Sequence, residues 1–225
     1  MKNLLVFLLV GYLLSQVSVD TTKKPPAIDI MKGLNIPGVI PKTMEWNTNK
    51  FLFPDEIEAI KQKARGYEPE PVTKDDLVIM ETSRGTIKLK LFPDVAPKHC
   101  RNFKKLANSG YYDGTTFHRI IPGFMIQGGD INSRDNNPNN DGQGGPGWTV
   151  DAEFNKVPHK RGVLSMARSR DPNSAGSQFF ICVADAPHLN GKYTAFGEVI
   201  ENVHVVDHIV KTPTEYIQAK RMSKE

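Results

Sequence analysis

The segment 117–130, FHRIIPGFMIQGGD, restricts the fold more than any other stretch of this 225-residue chain. It embeds a cation, Arg119, among large apolar residues, breaks at Pro122-Gly123, and resumes with Phe124 and Met125 before polar Gln127 and a Gly128-Gly129 stop. Pro-Gly forces a turn between the two apolar runs, so the segment reads as strand, turn, strand. Arginine in apolar surroundings is rare unless paired or used. The plain alternative is an arginine that snorkels outward from a strand end.

The rest of the chain supplies partners for such strands. Residues 77–82 and 86–91 read as a hairpin around Ser83-Arg84-Gly85, the second strand alternating with period two. Residues 96–108 read as a helix opened by Pro97 and stopped by Gly110, with Ala96, Cys100, Phe103 and Ala107 on one face. Short apolar runs at 162–166, 178–183 and 194–199 read as further strands, 202–210 as a second helix, and 132–147 as a polar loop. This is the pattern of a mainly β protein, a closed antiparallel β-barrel capped by two helices.

Residues 1–19 have the layout of a secretory signal peptide: Met1-Lys2-Asn3, then an apolar run over 4–14. That run falls short of the roughly 20 residues a bilayer span needs, so no stable membrane span is expected and an uncleaved anchor facing the periplasm is the minor reading. Export, to the periplasm or the medium, follows. Residues 20–73 form a Pro-rich extension with one helix near 54–65. Pro54 opens it, Asp55, Glu56 and Glu58 come early, Lys61, Lys63 and Arg65 come late, and Gly66 follows, as the helix dipole and capping preferences favour. Ile57 and Ile60, with Trp46, Phe51 and Phe53 before them, are candidates for docking on the main domain over 74–213. Residues 214–225 are a polar tail that reads as a short helix.

Net charge is +4 with both signs interleaved, which describes a solvated surface rather than a nucleic-acid-binding face. Cys100 and Cys182 are far apart, with no Cys-x-x-Cys and no zinc spacing. Both read as buried thiols, and a disulfide is compatible with export without being implied by spacing.

A second stretch, LSMARSRDPNSAGSQFFIC over 164–182, and YTAFGEV over 193–199, join the first in a specific pattern. Together they closely resemble the cyclophilin family of peptidyl-prolyl cis–trans isomerases, over about residues 76–210, and MARSRDPNS resembles its bacterial members. The resemblance implies a barrel of about eight strands, isomerase activity on proline-containing polypeptides, and no cofactor or metal. It assigns catalysis to Arg119. It places Phe124, Met125, Phe180 and Leu189 around the proline ring and Gln127 as brace for Arg119 and peptide ligand. Gln178 and the backbone at Ala167 and Arg168 would align the substrate. His188 and Tyr193 stand where the best-known eukaryotic members have tryptophan and histidine, which implies weak binding of cyclosporin-like ligands. The family's final barrel strand has no clear counterpart after 213, so part of 20–73 is expected to cover the open edge.

The chemistry fits such a set. Rotation about Xaa-Pro is slow because amide resonance sets a barrier of about 18–20 kcal/mol. Raising a rate of ~10⁻² s⁻¹ to ~10³ s⁻¹ takes roughly 7 kcal/mol off it. A guanidinium bonded to the prolyl nitrogen binds strongly only once that nitrogen pyramidalises, so it favours the transition state. One charged hydrogen bond gives about 1.5–3 kcal/mol, and positioning and desolvation must supply the rest.

Other patterns carry little. Residues 142–147 match G-x-G-x-x-G but open no helix. Asp130 to Arg134 starts like a calcium loop without its glycine or closing glutamate. His204 and His208 lack a third ligand. Ser177 lacks the nucleophile elbow of a hydrolase. The leading reading is an isomerase assisting the folding of exported proteins. Its alternative is a non-catalytic proline-peptide binding or chaperone module.

Overall fold

A computed structural model describes residues 51–211. The leader, the extension up to 50 with Trp46, and the tail helix expected over 214–225 lie outside those residues. Strand β1 (Leu77–Thr82) pairs with β2 (Gly85–Leu91) from Leu77 opposite Lys90 to Thr82 opposite Gly85. The remaining strands are β3 (Arg119–Ile121), β4 (Met125–Gly128), β5 (Val163–Met166), β6 (Phe179–Cys182) and β7 (Ala195–Glu201). They form one antiparallel sheet in the order β1-β2-β7-β5-β6-β4-β3.

Side chains alternate across a sheet, so cross-strand rows sort its two faces. Ile120, Ile126, Ile181 and Leu164 lie opposite one another in one row and enter the main core with Phe103, Phe179 and Phe196. The next row, Arg119, Gln127, Phe180 and Ser165, faces the other way.

Helix α2 (Pro97–Ser109) drives Cys100 and Phe103 into the core, where Phe103 meets Phe179 edge-on with ring centres 5.5 Å apart. It has no side-chain cap of its own. Glu153 supplies one from a distant loop, accepting the Lys98 and His99 backbone N–H groups at 3.1 and 3.0 Å and the His99 ring at 2.7 Å. A borrowed carboxylate satisfies donors that the helix start leaves free.

Helix α1 (Pro54–Gly66) runs one residue past its expected end. Its Ala64 is fully buried against Leu106, Tyr111 and Ile131, with Ile57 and Ile60 alongside, so the expected stripe does dock. Phe53 does not: it is 66% exposed, at a position whose backbone N–H donates back to Glu56. The docking also buries α2 on a second side through Leu106, whereas Ala107 is only half-buried.

Helix α3 (Val203–Val210) touches β2 and also β3 and β4. In a flat sheet β2 and β4 would stand about 19 Å apart at the usual strand spacing, more than one helix covers. The sheet therefore curls, and α3 plugs the space between its ends with Val205, Val206 and Ile209. The described part of the extension has a different place from the one expected. Residues 51–73 join no strand and lie instead along α2 and the turn Ile131–Arg134, where Lys104 and Lys105 donate to the Pro71 and Arg65 carbonyls. Among the described residues no helix is long and apolar enough to cross a membrane.

Candidate active site

The outward face of β3, β4 and β6 gathers the expected residues. Met125, Phe180 and Leu189 are buried in one apolar cluster with Cys182 and Ala186, and Phe124, Ala167, Ile121 and Tyr193 rim it. His188 lies against Phe124 with ring centres 5.4 Å apart, and Tyr193 meets Phe180 edge-on at 5.9 Å. Arg168 lies 4.6 Å over the Tyr193 ring and donates to the Lys192 carbonyl, which fixes that rim. The Ala167 N–H is already spent on the Gln178 carbonyl at 2.9 Å. The chain at that point can therefore offer a substrate its carbonyl or the following residue, not this donor.

Beside the cluster runs a relay of amides with fixed polarity. Gln178 Nε2 donates to the carbonyls of Gly142 and Gly144, both at 2.9 Å. Its Oε1 accordingly faces Gln127 Nε2 at 2.9 Å, and Gln127 Oε1 accepts from Arg119 Nη1 at 3.3 Å. Arg119 is exposed, so the other N–H groups of its planar fork remain available to a ligand. An arginine held by a neutral amide keeps its full charge for the substrate, where a carboxylate would neutralise it.

Sequence reasoning missed the support behind Phe180. His159 is buried and stacks on that ring at 6.2 Å. Its Nε2 bonds Ser165 Oγ at 2.9 Å, and Ser165 donates to the Thr194 carbonyl. Pro158-His159-Lys160 carries no pattern that could have shown this. Cys100 and Cys182 are free and buried, and burial pushes both thiols up to about 12, which makes them inert packing. Asp130 spends its carboxylate on the backbone N–H groups of Asn132 and Gly142. Ser177 Oγ donates to the Gly129 carbonyl.

The buried histidines make stability depend on pH. Burial lowers the pKa of His99, outweighing the Glu153 hydrogen bond that raises it, and burial likewise lowers that of His159. The unfolded chain then takes up protons first. Stability is complete above about pH 6.5 and falls below it until the folded state also protonates, with at most ~1.4 kcal/mol per pH unit from each histidine. Urea unfolding between pH 7.5 and 5.5 should show this fall, and His99→Gln should flatten it. An unchanged slope would rule His99 out as its source.

Residues 77–224 match the family model described as cyclophilin type peptidyl-prolyl cis-trans isomerase/CLD. The chain belongs to the cyclophilin family. It is 44% identical over 155 residues to a probable peptidyl-prolyl cis-trans isomerase of Brucella suis, covering 67% of this chain and 76% of that one. It is 50% identical over 120 residues to a peptidyl-prolyl cis-trans isomerase of Synechococcus elongatus, covering 53% and 77%. A Cryptosporidium parvum cyclophilin crystallised in the presence of the dipeptide Ala-Pro superposes with TM-score 0.56 at 40% identity, covering 61% of this chain and 87% of that one. The cyclophilin described here is accordingly a peptidyl-prolyl cis–trans isomerase.

Proposed function

We propose that this cyclophilin turns Xaa-Pro bonds of exported polypeptides by donating a hydrogen bond from Arg119 to the prolyl nitrogen while the ring sits on Met125, Phe180 and Leu189. The observation that carries this reading is the Arg119–Gln127–Gln178 relay beside the apolar cluster. The cluster takes the proline ring out of water, which strengthens any charge–dipole contact there. Phe124 and Tyr193 wall the ring in. Gln127 holds Arg119 at the height of the twisting bond, and the second N–H of its amide is left for the substrate backbone. Rotation makes the nitrogen pyramidal and basic, and the guanidinium binds that form in preference to the planar amide. No bond is made or broken, so no proton needs to move. The apolar leader over 1–19 supports export as the setting.

A protease-coupled assay on a short Xaa-Pro peptide tests the reading and separates it from that of a mere proline-binding module, which would bind the peptide without speeding its isomerisation. His188 gives a second expected result. It offers cyclosporin a small polar ring against Phe124 where an indole would cover more apolar surface, so inhibition should need concentrations at least about tenfold above those that inhibit a tryptophan-bearing relative. His188→Trp should tighten it. Equal potency in the two proteins would remove His188 from the account.

A further inference from the structure

Away from the proline cluster, α1, α2 and the loop 147–151 enclose an open cavity of about 670 Å³. Four cations line it: Arg65 from α1, and Lys98, Arg101 and Lys105 from α2. The three on α2 stand at i, i+3 and i+7, one face of a helix, and form a row about 10 Å long. Arg65 stands on the neighbouring helix, held by the Gly147 carbonyl at 3.3 Å. Trp148 forms a wall; Asn102 fixes its indole N–H at 2.8 Å, and the Lys105 ammonium sits 5.5 Å from its ring centre. Lys105 is only 14% exposed, and its ammonium is held by the Arg65 carbonyl at 2.9 Å and by Glu68 at 3.4 Å at the edge of the groove.

Among the described residues two carboxylates form direct ion pairs with three of these four charges, and Glu58 on α1 acts on Arg65 through space. Glu68 pairs with Arg101 and Lys105, and Asp151 pairs with Lys98 at 3.0 Å. Both acids are about 70% exposed or nearly so, and exposed pairs of this kind contribute little. A ligand with several anionic groups can displace them. Residues scattered through the sequence and interleaved with acids there are brought together here. Arg65 precedes the residues that match the family model, 77–224, so the groove depends on the extension.

We infer that this groove binds a small ligand carrying a chain of phosphates. A single anion would engage one or two of the cations. A row with a facing arginine suits linked phosphates, each of which takes the guanidinium fork in two-pronged fashion or an ammonium as a point charge. The groove and the proline cluster share the loop after Gly142, whose carbonyls hold Gln178, but no group of the groove takes part in isomerisation.

Trp148 reports occupancy, because the chain has one other tryptophan, Trp46. The experiment titrates inorganic tripolyphosphate into the full chain carrying Trp46→Phe at low salt, with calorimetry alongside. Saturable binding is expected, with inorganic monophosphate at least about tenfold weaker and Arg65→Ala/Arg101→Ala at least about tenfold weaker again. Circular dichroism and unchanged isomerase activity would show that the variant is folded. A parallel titration with ATP distinguishes two sources of the same chemistry. Equal affinity means the phosphates alone are read, and tighter ATP means its base also packs on Trp148. Lack of saturation, equal affinity for monophosphate, or a double variant within twofold of the parent overturns the inference. So does tighter binding of a hexaglutamate peptide, which would make the groove a site for acidic polypeptide.

Discussion

Replacing Arg119 with alanine should lower kcat/KM for a short Xaa-Pro peptide by about 10²–10³, the usual cost of removing one donor that meets transition-state charge. The side chain is exposed and, among the described residues, bonds only a neutral amide, so the fold should stay intact and the loss should be purely functional. It should fall on kcat rather than KM, since a planar amide nitrogen gives the guanidinium little to bind. Arg119→Lys keeps the charge but not the planar fork that Gln127 holds, and should recover no more than a few-fold of the loss. Gln127→Ala leaves Arg119 in place but unbraced, so a smaller drop, roughly tenfold, is expected from the wider spread of its rotamers. Protease-coupled kinetics or exchange spectroscopy reads all three. A loss below about threefold in the alanine variant would mean that the apolar cluster and desolvation do the work without Arg119.

How far this site was legible in the sequence depends on which physical signal each residue carries. Strand β2 alternates, so its inward face could be read directly. The runs Val163–Met166 and Phe179–Cys182 are buried at every position, and period-two reasoning fails where both faces are covered. That Phe180 belongs to the cluster came from family resemblance alone; in the register Gln127 lies opposite Phe180 and Gly128 opposite Phe179, so the two phenylalanines stand on opposite faces. Helix α1 announced itself by proline, acids and bases in the right order. Its docking stripe of Ile57 and Ile60 was legible too, but the most buried contact was not, because close helix approach uses a small residue, Ala64, that composition cannot single out from other alanines. The conspicuous Phe53 was a poor guide. The carbonyls of Gly142 and Gly144 that fix Gln178, like the Glu153 cap on α2, involve a backbone group or a distant partner and so leave no local mark. The cation groove escaped for a related reason, since Arg65 and the α2 row are brought together only by tertiary packing.

Gly129→Ala should be a severely damaging single-methyl change near the site, costing about 3–4 kcal/mol and lowering the melting temperature by roughly 10 °C. Gly129 has φ +82°, a left-handed conformation that costs an alanine about 1–2 kcal/mol. A Cβ there would also stand 2.5 Å from the Ser177 carbonyl oxygen and 2.9 Å from Phe179 Cδ1. Neither neighbour can retreat. The Ser177 carbonyl is held by the Tyr112 hydroxyl at 2.9 Å, and its Oγ is tied to the Gly129 carbonyl at 2.7 Å. Phe179 is wedged edge-on between Phe103, Tyr112 and Phe117. Gly123→Ala isolates the contact: that glycine has a similar φ, +73°, but nothing lies within 4 Å of its Cβ, so only the conformational cost should appear. Because Ser177 leads directly into Gln178, any shift that relieves the clash also moves the relay, and Gly129→Ala should lose kcat even well below its melting point. Equal destabilisation of the two variants would show that Ser177 and Phe179 yield freely, and that the packing behind the relay is softer than its hydrogen bonds imply.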